Sequence, residues 1–175
     1  MKNFFLITAA LFIVSVSHAQ TNPIDEMFDK YSEKDGFTTV YISSKMFSLF
    51  AGKDPKSGDA DNIMNKLKSI RILTVEDSTL NININFYREL SKKLDLSVYE
   101  ELMAVKEGSD ITKFLIRQSG NIITELLVIT GGPGDNTLIS IKGDLDMKTI
   151  SDLSKSSGIE ELKSLENIDK KQDKK

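Results

Sequence analysis

The sequence predicts an α+β domain: an antiparallel sheet, made of a four-strand C-terminal meander plus one or two N-terminal strands, with helices packed mainly on one face. Three observations predict it. Apolar residues recur at helical spacing in the early part of the chain, beginning with Ile24, Met27, Phe28 and Tyr31. Four strand-like runs then follow one another between Tyr99 and Lys142. The turns between those runs are too short for a parallel crossover, which takes a dozen or more residues, so neighbouring runs pair antiparallel.

Taken in order, the chain opens with Met1-Lys2-Asn3, an apolar run from Phe4 to Val14, and Ser15-Val16-Ser17-His18-Ala19. This is the layout of a secretory signal peptide, residues 1–19, with small residues at Ser17 and Ala19 and a cut before Gln20. The apolar run is shorter than the roughly 20 residues a membrane-spanning helix needs. Pro23 to Asp35 reads as a helix behind an Asn22 cap. Gly36 ends it, and Phe37 to Ile42 reads as a strand of β-branched and aromatic residues. Ser43-Ser44 caps a helix over Lys45 to Ala51, and Gly52 to Asp59 is a loop rich in glycine and charge. A helix from Ala60 to Lys68 turns Ile63, Met64 and Leu67 inward, and Ile70 to Val75 is a strand.

The stretch Thr79 to Leu94 reads as helix throughout, although Asn81 to Phe86 alternates as a strand would. The meander follows as Tyr99–Lys106, Ile111–Gln118, Asn121–Thr130 and Thr137–Lys142. A helix from Met147 to Ser154 stops before Gly158, an amphipathic turn presents Ile159, Leu162, Leu165 and Ile168, and residues 169–175 form a charged, disordered tail. Residues 20–168 are expected to make a single domain.

Cleavage after Ala19 shortens the chain from 175 to 156 residues and, with Lys2 gone, takes its net charge from −3 to −4. A chain of that size buries a self-sufficient core without staples, in keeping with its lack of cysteine. Mild acidity gives no basic footprint for nucleic acid. With the one histidine at His18 and no cysteine, the mature chain holds neither Ser-His-Asp nor Cys-His machinery.

Few residues invite a chemical reading. Asp144 and Asp146, with Asp135, suggest hard-cation ligands; capping of the following helix is the better explanation, and no metal or cofactor is expected. Gly131-Gly132-Pro133-Gly134 lacks the Lys-Ser/Thr ending of a phosphate loop and joins two strands, so it reads as a hairpin turn. Glu125 interrupts the apolar run Ile122 to Ile129. Strict alternation puts Ile123, Leu127 and Ile129 on its face. If that face is open, it is an apolar patch holding an acid, and patches of this kind mark binding sites. Glu125 would then be a candidate general acid. The plainer alternative is a cross-strand pair with Arg117 or Lys113.

Gly36 to Ser43 with Lys45-Met46-Phe47, Tyr99 to Met103 with Val105 to Gly108, Ile123 with Glu125 to Leu127, and Ile139 to Ile150 form an ordered set of segments. In that order and spacing they resemble a family of exported Bacteroidetes proteins, domain-of-unknown-function family 4252. The resemblance runs from about Asp25 to Leu165. It implies an envelope location and supplies no activity, cofactor or catalytic residue. Many members carry a lipidated cysteine at the cut, where this chain has Gln20.

The expectation is therefore a periplasmic, non-enzymatic binding or accessory protein. Its meander sheet would offer Glu125, Leu127, Ile129, Gly131, Gly132, Asp135 and Asn136 to an envelope protein partner or an apolar ligand. A carrier of lipid or another apolar molecule is the alternative, and an unusual hydrolase a distant third. No membrane-spanning segment is expected in the mature chain.

Overall fold

The computed structural model describes residues 22–51 and 58–166. The segments expected to be a signal peptide (residues 1–19) and a charged tail (residues 169–175), and most of the Gly52–Asp59 loop, lie outside the described residues.

Asn22 caps the first helix, α1 (Pro23–Tyr31), by accepting from the Ile24 amide at 3.0 Å. Its buried stripe is Ile24, Met27, Phe28 and Tyr31, as the spacing predicts. The chain then leaves the helix early, and Gly36 turns into strand β1 (Phe37–Ser43) with φ +83°. A side chain there would also strike Leu80 at 2.7 Å. Helices α2 (Ser44–Phe50) and α3 (Gly58–Lys66) follow. Leu67, expected inside a helix, instead starts strand β2 (Leu67–Val75). It still points inward, into the same core that receives Ile63.

The stretch from Thr79 to Leu94 is not one helix. It is two short ones, α4 (Ser78–Asn81) and α5 (Phe86–Leu90), and the front part does not form a strand either. The cause is local: Asp77 caps the Thr79 amide and Asn85 caps the Arg88 amide, so a second helix start lies inside the segment. Ile82, in the break, is 72% exposed. A short 3₁₀ turn at Leu96–Val98 leads into the meander: β3 (Glu100–Glu107), β4 (Asp110–Ser119), β5 (Ile122–Gly131) and β6 (Thr137–Leu145). Asp146 caps α6 (Met147–Ser156), and a 3₁₀ turn at Glu160–Leu165 buries Leu162 and Leu165.

All six strands form one antiparallel sheet in the order β1-β2-β6-β5-β4-β3. The class and the meander are those the sequence predicts. The distribution of helices is not: both faces are covered. One face carries Ile70, Phe114, Ile116, Leu126, Val128 and Ile141 against α6 and the final 3₁₀ turn, with Phe47 of α2 and Ile63 of α3 at its side. The other carries Leu73, Leu115, Leu127, Ile129 and Leu138 against α1 and α5. A strand apolar on both sides needs cover on both, and the segment between β2 and β3 crosses the second face to supply it. Among the described residues no helix is long and apolar enough to cross a membrane.

Candidate functional site

Glu125 is the place to begin, because it is a carboxylate with no exposure at all. The ladder between β5 and β6 slips between Ile123 and Glu125, and the one between β4 and β5 slips between Arg117 and Gln118. This bulge overturns the simple alternation. Ile123 joins Leu126 and Val128 in the first core, while Glu125 turns to the α1 side with Leu127 and Ile129. The expected open apolar patch does not exist: Leu127 is 0% and Ile129 1% exposed.

Glu125 is satisfied from three sides. Arg117 on β4 reaches it at 3.0 Å, the Tyr99 hydroxyl donates at 2.9 Å and the Ser140 hydroxyl at 2.7 Å. Of the two partners anticipated, Arg117 is the one used; Lys113 pairs with Glu101. Burial, and then the facing Glu125 carboxylate, push the Tyr99 phenol well above its ordinary range. Tyr99 therefore stays a neutral donor.

The glycine-rich tip is built into the fold. A Cβ on Gly131 would lie 2.7 Å from the Tyr87 amide nitrogen, and one on Gly132 would lie 2.7 Å from the Asp110 Cα. Asn136 is fully buried. It accepts from the Phe86 amide at 2.8 Å and donates to the Asn81 side chain and the Ile84 and Gly132 carbonyls. Asp135 accepts from Thr137, and burial pushes its carboxyl above the usual range. Asp144 and Asp146 face lysines: Lys68 at 2.5 Å and Lys66 at 2.7 Å. Asp146 also accepts from the Thr149 amide at the start of α6.

The open surface lies beside Glu125, on the same face. One row across the sheet runs Ser69, Lys142, Glu125, Arg117, and the next runs Tyr41, Arg71, Ser140, Leu127. Leucines and isoleucines beyond those rows sit beneath α1 and α5. The uncovered end is a cleft of about 450 Å³ lined by Thr39, Tyr41, Ser69, Arg71 and Lys142. Asp25 of α1 stands at its rim, 2.6 Å from Arg71 and 3.9 Å from Lys142. The Arg71 guanidinium sits over the Phe28 ring, 4.0 Å from the centroid. A second cleft, of about 540 Å³, opens between the start of α1 and the Leu94–Tyr99 stretch, with Arg117 and Tyr99 in its lining.

Arg71, Lys142 and Asp25 escaped the sequence reading. The available signal was a single cation in each of the runs Ile70–Val75 and Thr137–Lys142, which are otherwise filled by apolar and hydroxyl residues. That they share a face and a carboxylate depends on β2 pairing with β6, which no local pattern announces.

Neither a curated protein nor a solved structure matches the chain. One family description does, Domain of unknown function (DUF4252), over residues 31–153, a span that runs from the end of α1 into α6 and takes in the whole sheet. The chain belongs to that family.

Proposed function

We propose that this is an exported, non-enzymatic binding or accessory protein of the cell envelope. Its contact surface is the cleft of Thr39, Tyr41, Ser69, Arg71 and Lys142, which takes a carboxylate or phosphate group of its partner. The observation that carries the reading is charge: two cations, Arg71 and Lys142, stand together over one rim carboxylate, Asp25, with the largely exposed Asp29 reaching Arg71 only at 4.0 Å. An incoming anion can take over part of that pairing, Arg71 offering a planar fork that suits it, with Tyr41 exposed beside it. The apolar parts of both sheet faces are filled by the chain's own helices, which speaks for a polar rather than a lipid ligand. Export rests on the layout of residues 1–19.

Titration of the mature protein with a short all-glutamate peptide and, separately, with inorganic phosphate tests this by amide chemical shifts. Shifts gathered on Thr39, Tyr41, Ser69, Arg71 and Lys142, weakened by salt and lost in Arg71→Gln/Lys142→Gln, are the expected result. Which probe binds tells a protein carboxylate from a phosphate. Shifts scattered over every exposed lysine, or none with either probe, would sink the reading.

A further inference from the structure

The two edges of the sheet are treated differently. The β3 edge carries Glu100, Glu101, Lys106 and Glu107 and is bent by a bulge between Glu101 and Met103. Charges and bulges are the usual means of keeping a further strand away. The β1 edge has neither. Phe37 to Ser43 contains no charge and no proline, and all seven residues stand in unbroken register with β2. Among the described residues no strand pairs with its outer side.

Its surroundings are apolar as well. Val40 is 38% and Tyr41 66% exposed, on opposite faces. On the Val40 side, α2, which follows β1 directly, packs Phe47 into the core and leaves Met46 and Leu49 nearly half exposed. Charge is polarised along the strand. At the Phe37 end stand Glu33, Asp35, Glu76 and Asp77, outweighing Lys34, with the Glu76 amide bonded to the Gly36 carbonyl at 2.9 Å. At the Ser43 end stands Lys45, exposed.

We propose that the partner of this edge is a second copy of the chain, joined antiparallel through β1 about a twofold axis at Val40. A strand that is acidic at one end and basic at the other is complementary to itself only when reversed, and a twofold supplies the reversal. Centred on Val40, the middle of β1, the pairing sets Asp35 of one copy toward Lys45 of the other. Met46 and Leu49 of both copies then flank the seam, adding apolar contact that a lone strand pair lacks. On the opposite face Tyr41 comes to lie across from Thr39 of the second copy, so the two clefts meet as one groove. The association does not depend on what the cleft binds.

The absence of cysteine makes the test clean. The mature protein is expected to sediment as a dimer at about 100 μM, where a dimer of micromolar affinity is saturated. Val40→Cys should cross-link to itself on mild oxidation, because residues on a twofold of an antiparallel pair have Cα atoms about 4.5–5.5 Å apart, within disulfide reach. Thr38→Cys should not, since its counterpart lies at least about 13 Å along the strand. Asp35→Lys should weaken the dimer at least tenfold, and Asp35→Lys/Lys45→Asp should recover most of that loss. A monomer at this concentration, or a dimer in which Val40→Cys fails to cross-link, would overturn the proposal.

Discussion

Arg117 and Glu125 show how much one pair can settle. Their opposition across β4 and β5 was readable in the sequence, because cross-strand neighbours of opposite charge are the ordinary way to house an acid in an apolar strand. The bulge that moves Ile123 off the acid's face was not readable, since nothing in Ile122-Ile123-Thr124 marks a slip of one residue. Removing only the cation, by Arg117→Leu, leaves Glu125 with two neutral donors in the interior. The expected loss is about 3 kcal/mol in urea unfolding. Arg117→Leu/Glu125→Leu should recover most of it, and a double variant whose loss equals the sum of the Arg117→Leu and Glu125→Leu losses would show that the pair is not coupled. Asn136→Ala should cost at least about 2 kcal/mol, because the buried Phe86 amide and Ile84 carbonyl both lose a partner; hydrogen exchange at Phe86 should accelerate with it. Asp146 sets an acid limit. Burial works to raise its pKa, but the hydrogen bonds from Lys66 and Thr149 and the Lys66 charge outweigh it and hold the carboxyl at about 2. A group depressed in this way stabilises the fold above its unfolded value near 3.8 and loses that contribution as pH falls toward 2. Lys66→Met should flatten the pH dependence of melting across that window.

At the level of elements, the strands were easier to read than the short helices. The meander's turns and β-branched runs carry their own signals, so the four strands emerge within a residue or a few of their observed ends. The stretch from Thr79 to Leu94 misled because its apolar spacing continues through a break that only the caps Asp77 and Asn85 reveal. Asn85→Ala should cost about 1 kcal/mol by uncapping α5, and because α5 covers β5, the loss should also loosen the sheet face beneath it. The apolar site expected on β5 fails for a related reason. Leu127 and Ile129 looked available only while the segment that covers them had no known path. Leu127→Ala is now expected to destabilise by about 3 kcal/mol, and Leu127→Asp to prevent folding outright. A folded Leu127→Asp protein that had merely lost an interaction would argue against this packing.

For the molecule as a whole, the α+β class followed from the order of segments, whereas the coverage of both faces followed from connectivity. The 76–99 stretch must travel from β2, near one edge, to β3 at the other, and in doing so it roofs the second face. The same connectivity fixes when folding can finish. Strand β6 is the last in sequence, yet it stands between β2 and β5 near the middle of the sheet. Until residues 137–145 have left the ribosome, the β1–β2 pair and the β3–β5 ribbon have no shared neighbour, and the apolar side chains of both lack their cover. Contacts so distant along the chain form slowly. Such a chain remains threadable for nearly the whole of its synthesis, and a fragment ending at Asn136 should resist neither protease nor dilute urea.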